Sequence, residues 1–392
     1  MSPTTDQRRP AWAEIDLDSL AHNLRFLRSR IGDAKILAIV KADAYGHGAV
    51  EVARTVESEG ADWLGVALEE EGAELRRAGI ELPILVLGVV ERAQVPRMLH
   101  HRLTPAVSSL EQLSSWAATA QSRSGEEGTQ IHLKLDTGMH RLGLTEEEWP
   151  RATEILSSTP RLRLTGLLSH LASSEDLESP ITAEQETCFD RALALFSALV
   201  DEGGILAHTA NSAAALHHQE SVHSLVRCGL ALYGVDPAQV EEGLRPVMQV
   251  RARIVETREV EAGAAVGYGG TWIAQRPSRL GVVALGYADG YPWGLSNLSH
   301  ANSRDQEVAV VGAVNMDMLL LDLTGTSVSI GTEVCLMGNG AATGPGASEL
   351  AGLAGMSTYE LLAHFGLRLP KRYLRAGQEV AVVSRLEPST RE

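Results

Sequence analysis

Ile36-Leu37-Ala38-Ile39-Val40-Lys41-Ala42-Asp43-Ala44-Tyr45-Gly46-His47-Gly48 is the stretch on which the fold turns. The run Ile36 to Val40 is apolar without alternation, the pattern of a strand buried on both faces. A lysine stands at its carboxyl end, and a glycine-rich turn carrying Tyr45 and His47 follows at once. In an α/β barrel that end of a strand is where the strand-to-helix loops build the active site. Partial burial there lowers an amine's pKa toward the neutral form that Schiff-base chemistry requires. Position alone favours a solvated lysine closing a strand, so the reading depends on the rest of the chain.

Working outward, short apolar runs alternate with helical patterns. The strand candidates are 36–41, 63–67, 84–87, 104–107, 131–135, 164–169, 206–210 and 225–233. Between them, stretches such as 49–59, 68–78, 146–157 and 184–202 carry apolar residues at three- and four-residue spacing. Eight such strands predict a TIM-like (β/α)8 barrel, with a doubly wound sheet as the alternative. After Arg245-Pro246 the pattern changes to short β-branched runs at 250–260, 279–285, 307–314, 318–323, 333–337 and 379–384, split by Gly, Asn, Asp and Ser. That is an antiparallel β pattern. The expected division is a barrel over 12–245 and a β domain over 246–392, to which residues 1–16 can add a strand. The small-residue stretch 338–346 is the longest loop candidate.

Composition narrows the class. The 392 residues exceed one domain of ~150 residues but suit a barrel of ~250 plus a smaller domain. A formal charge of −16 and the lack of any clustered Lys and Arg argue against nucleic acid. Met1 to Pro10 is polar, unlike a secretory signal, and no long apolar run could span a membrane. Cys188, Cys228 and Cys335 are scattered and odd in number, which points to a reducing compartment and neither a disulfide framework nor a zinc site. The expected location is the cytoplasm.

Polar residues gather at the carboxyl ends of the predicted strands. They are Lys41 and Tyr45, then Lys134-Leu135-Asp136-Thr137-Gly138-Met139-His140-Arg141, then Ser169-His170, Asn211-Ser212 and Arg227-Cys228-Gly229-Leu230. Each has a plain structural explanation: Arg141 as a surface partner of Asp136, His170 as a core histidine, Ser212 as a helix N-cap. Jointly they are harder to dismiss, because unrelated polar residues have no reason to prefer one end of a barrel. In the second domain, Gly267-Tyr268-Gly269-Gly270, Gly286-Tyr287-Ala288-Asp289-Gly290-Tyr291-Pro292 and Asn315-Met316-Asp317-Met318 are compact polar insertions in β-patterned sequence.

These segments, in this order over nearly the whole chain, resemble the alanine racemase family of pyridoxal 5'-phosphate (PLP) enzymes, fold type III. The resemblance implies that Lys41 tethers PLP and is the catalytic base for the D-substrate, with Tyr268 the opposing base for L-alanine. Arg227 matches the arginine facing the pyridine nitrogen, and His170 the link between tyrosine and arginine. Arg141 matches a contact to the cofactor phenolate and substrate carboxylate, Met316 a further substrate contact. Tyr45, Ser212, Gly229, Leu230 and Tyr359 match phosphate contacts, and Tyr287 lies in the substrate access channel. Lys134 falls where many members carry a carbamylated lysine. The resemblance further implies a homodimer with shared active sites, no metal, and D-alanine supply for peptidoglycan.

The chemistry agrees with these roles. Racemisation takes a proton from one face of Cα and returns one to the other, so two bases on opposite faces are the direct solution. An arginine at the pyridine nitrogen has no proton to hand over, which limits side reactions. Two positions depart from the family: His140, where glycine is also common, and Asp43, often asparagine. A decarboxylase of the same fold type would carry an acidic residue in place of Arg227. A non-catalytic PLP-homeostasis protein would be a lone barrel. A broad-specificity racemase is the closest alternative.

Overall fold

The computed structural model describes residues 9–122, 128–200, 204–304, 306–340, 343–366 and 368–386. The tip of the predicted helix 184–202 and part of the 338–346 loop lie outside them, as do the first eight residues. The chain divides into two compact units. One comprises 20–42 and 49–244; the other comprises 1–19, 43–48 and 245–392.

The first strand, β1 (Ala11–Asp16), belongs to the second of these units. The next eight are β2 (Lys35–Ile39), β3 (Trp63–Val66), β4 (Ile84–Val86), β5 (Thr104–Val107), β6 (Thr129–Lys134), β7 (Leu162–Leu168), β8 (Leu206–His208) and β9 (Leu225–Cys228). They form one parallel sheet in the order β9-β2-β3-β4-β5-β6-β7-β8. The first barrel strand therefore pairs with the last, Leu37 opposite Arg227. Between β8 and β9 the ring is bridged where the Arg227 amide donates to the Ala210 carbonyl at 2.9 Å. Ile36, Leu37, Ala38 and Ile39 are all buried, as a strand covered on both faces must be. Helices Ala49–Ser58, Glu69–Arg77, Val95–His100, Leu110–Ser122, Trp149–Ser157, Pro180–Ser197 and Ser212–His217 fill the crossovers.

Several strand ends differ from expectation: the run 36–41 is strand only to Ile39, so Lys41 lies beyond it, and the run 279–285 is Ser278–Val283. The run 225–233 is strand only to Cys228; Leu230–Tyr233 is a 3-10 turn closed by Gly234 at φ 88°. An apolar run of that length reads the same in either conformation. The strand placed at 206–210 stops at His208, and that placed at 307–314 is Gln306–Ala309.

The β unit is built around β10 (Met248–Val260). It pairs antiparallel with β1, with Ser278–Val283 and with Glu333–Met337, and β1 pairs in parallel with Lys371–Arg375. Asp43–Gly48 groups with this unit and not with the barrel. The cause is close contact: a Cβ on Gly46 would meet the Leu362 carbonyl oxygen, and one on Gly48 the Tyr373 hydroxyl. The Lys371 ammonium adds an ion pair to Asp43 at 3.0 Å.

Candidate active site

The turn after β2 is unusual backbone. Ala42, Asp43, Ala44 and Tyr45 all have φ between 50° and 54°, a left-handed helical turn made without glycine. Each such residue costs roughly 1 kcal/mol or more, so tertiary contacts must hold the turn. Inside the β unit, Lys371 grips Asp43, and Nδ1 of His47 lies 2.9 Å from the carbonyls of both Ala44 and Tyr45. The Asp43 departure thus has a local reason: a carboxylate tolerates the left-handed region and has a buried cation to meet. Tyr45 is buried, its phenol pKa raised by that burial, and its ring stands edge-on to Tyr359 at 5.7 Å.

Within the barrel, Lys41 begins that turn. Burial lowers the pKa of its amine, Arg141 and Arg227 push the same way, and Glu71 opposes them. Lys134, the last residue of β6, is pushed down to about 8 by burial and by Arg227, Arg141 and Lys41. Arg141 itself is exposed, and Asp136 is occupied elsewhere: it accepts from the amides of Gly138 and His140 and meets the His140 imidazole at 3.2 Å. His140 has φ 56°, so where glycine is common the imidazole contact helps to hold a left-handed residue.

Arg227 is fully buried inside the barrel. Its Nη1 donates to the His208 carbonyl at 2.6 Å, and its Nη2 to the carbonyls of Ser169 at 2.7 Å and Thr209 at 2.9 Å. The same nitrogens lie 3.2 Å from Nδ1 of His208 and of His170. Guanidinium can only donate, so both imidazoles accept at Nδ1 and keep their proton on Nε2. Nε2 of His208 then donates to Nδ1 of His132 at 2.9 Å. Burial lowers Arg227 to about 10, which leaves it cationic at neutral pH. Gln185 fixes the neighbouring loop, donating to the His170 carbonyl and to Thr137. Ser212 is the first residue of its helix and is not the N-cap; Asn211 takes that role by accepting from the Ala214 amide. The Ser212 hydroxyl instead accepts from the amides of Gly229 and Ala231 at 2.9 and 3.2 Å.

The buried imidazoles predict acid sensitivity. Burial, with Arg227 beside them, depresses His132 and His170 to about 3. Above pH ~6.5 these rings are neutral folded or unfolded, and the full stability is present. As pH falls from there toward 3, only the unfolded chain takes up their protons. Stability is therefore lost by up to about 1.4 kcal/mol per pH unit for each ring. Urea midpoints should be lower at pH 5.5 than at pH 7, and equal midpoints would contradict the assignment.

In the β unit, Tyr268 is 76 % exposed and Met316 52 %, with Tyr287 also exposed. The loops bearing them are tied to neighbouring loops by hydrogen bonds. The amides of Tyr287 and Ala288 donate to the carbonyls of Asn315 and Met316, and Asn297 bridges Thr271 to Gly312. Trp293 and Leu298 of the same unit are also exposed.

Sequence reasoning placed Lys41, Arg141, His170, Ser212 and Arg227 at the strand ends, and the barrel holds them there. It missed His132, His208 and Glu71. A histidine within an apolar strand pattern gave no signal of a partner. Glu71 carried half of one, since it stands three residues after Leu68 at a helix start.

A lysine just past a barrel strand and an arginine buried on the adjoining strand, with an exposed tyrosine on the β unit, are the features that the resemblance assigns to fold type III amino-acid racemases. The family model for the alanine racemase N-terminal domain matches residues 15–237, and that for its C-terminal domain matches 247–373. The chain belongs to the alanine racemase family. A relative named alanine racemase from Synechocystis sp. is 40% identical over 374 residues, covering 93% of this chain and 99% of the relative. The alanine racemase of Clostridium difficile 630 superposes with a TM-score of 0.89 at 32% identity, over 97% of this chain and 100% of that one. The alanine racemase of Bartonella henselae, solved with covalently bound pyridoxal phosphate, gives 0.85 at 27% identity over 94% and 100%.

Proposed function

We propose that this chain is a PLP-dependent racemase interconverting L- and D-alanine. The observation that carries the reading is the setting of Arg227, a buried cation held by carbonyls and neutral imidazoles on the strand beside the lysine strand. A decarboxylase of this fold type needs a carboxylate in that place. When bound, PLP withdraws electrons from the substrate and makes the Cα proton removable near neutral pH.

The residues present fit that group. Lys41 offers an amine made less basic by burial, suited to tethering a carbonyl. Arg227 would face the ring nitrogen and would give it no proton, because a guanidinium cation stays charged. By the family resemblance, Tyr45, Tyr359, Ser212, Gly229 and Leu230 would hold the phosphate. Arg141 and Met316 orient the substrate carboxylate, and Tyr287 lines the access channel. Lys41 takes or returns a proton on one face of Cα, and Tyr268 does so on the other. His170, neutral and protonated on Nε2, offers the phenol a donor backed by Arg227.

Tyr268, Met316, Trp293 and Leu298 are large side chains left exposed on the β unit, and a second copy is the occupant that gives the tyrosine a use. In such a homodimer the tyrosine of one chain serves the lysine of the other. Mixing a Lys41→Ala chain with a Tyr268→Phe chain is then expected to restore activity in about one site of four after random exchange. No recovery would place both bases in one chain. Cytoplasmic D-alanine supply for peptidoglycan is the role that suits this chemistry.

The test of the function itself is direct. Purified protein is incubated with L-alanine, L-serine and L-lysine, and each D-product is measured, while borohydride fixation is mapped to Lys41. D-alanine should dominate. Equal serine and lysine products would favour a broad-specificity racemase, and a colourless protein without label would end the PLP reading.

A further inference from the structure

The hydrogen-bond ladder between β2 and β3 runs out just before Lys41. Ile39 pairs with Gly65, the Val40 amide still reaches the Gly65 carbonyl at 2.9 Å, and the chain then turns left-handed. The amide of Ala42, directly after the lysine, is held from the neighbouring helix: Oε1 of Glu71 accepts from it at 2.6 Å. The other oxygen of that carboxylate, Oε2, accepts from the amides of Ala67 at 2.7 Å and Leu68 at 3.0 Å. One half-buried carboxylate therefore binds the ends of two adjacent strands, and all its partners lie within the barrel unit.

We propose that Glu71 is a positioning residue for Lys41, holding the first amide of the left-handed turn and so fixing where the amine stands. Three charge-assisted hydrogen bonds suit this use, because each is stronger than its neutral counterpart and the three converge from two loops. The geometry also requires both oxygens. Glutamine would keep one acceptor and turn an NH2 group toward the other amides. Aspartate is one methylene shorter. Electrostatics point the same way, since the charge of Glu71 opposes the depression of the lysine's pKa. Its charge keeps the amine from becoming too weak a base while burial and two arginines push it down.

The inference rests on Lys41 being the PLP tether, and its test separates the two. Full-length protein stripped of PLP is reductively methylated across a pH series, and Lys41 labelling is followed by peptide mass spectrometry. Glu71→Gln is expected to shift that labelling profile to lower pH, a change that a purely structural cap would not produce. PLP release from the loaded Glu71→Ala variant should quicken about tenfold, which corresponds to about 1.4 kcal/mol. Unfolding midpoints of both variants are read alongside, and Glu71→Gln keeps the test open if the alanine variant fails to fold. An unchanged labelling profile, together with release within twofold of the parent, overturns the proposal whatever the midpoints do. Failure of the parent to bind PLP would sink the function while leaving the labelling comparison decisive for Glu71.

Discussion

Replacing Lys41 with alanine is expected to lower racemisation by about 10⁴-fold or more, the upper range for loss of a positioned acid or base. The variant should also lose all borohydride-fixed label. Two losses combine, because the same amine tethers the cofactor and moves a proton at one face of Cα. Its surroundings explain why no other lysine would substitute. Burial and the charges of Arg141 and Arg227 make this amine weakly basic, and the left-handed turn fixes its start. Lys134, although also depressed, stands four strands away on β6. Added methylamine should recover part of the proton-transfer step. Residual activity within tenfold of the parent, with label moved to another lysine, would overturn the assignment.

The strand cores were readable because a parallel strand buried on both faces has no polar alternation to confuse it, as Ile36 to Val40 illustrates. The site residues were readable for a different reason: the topology brings every strand's carboxyl end to one rim. What stayed hidden depends on tertiary contact. Nothing local marks Ala42 to Tyr45 as left-handed, since two alanines and a tyrosine disfavour it; Lys371, more than 300 residues later, supplies part of the grip. The reach of Glu71 to Ala42 needs β2 and β3 side by side. The pairing of His132 with His208 links residues on β6 and β8, beneath Arg227. Apolar runs also lose their conformation at their ends, which is why Leu230–Tyr233 passed for strand.

Tyr268→Phe should slow racemisation by about 10²- to 10⁴-fold, and the way it does so tests the two-base assignment. The enantiomers have equal energies in water, so the specificity constants in the two directions must stay equal in any variant. A one-sided loss of rate is therefore not the signature to look for. Exchange of the Cα hydrogen is. Phenylalanine keeps the ring but has no hydroxyl to carry a proton, and Lys41 remains intact. In heavy water, D-alanine should still exchange its Cα proton with retention at close to the parent rate, because removal and return both occur at the lysine face. L-alanine presents its proton to the face that has lost its base, and its exchange should fall with racemisation. Proton NMR of the Cα signal, with chiral chromatography of the same samples, reads both quantities. Equal exchange from the two enantiomers would mean that one group serves both faces, and Tyr268, exposed on its own chain, would lose its role.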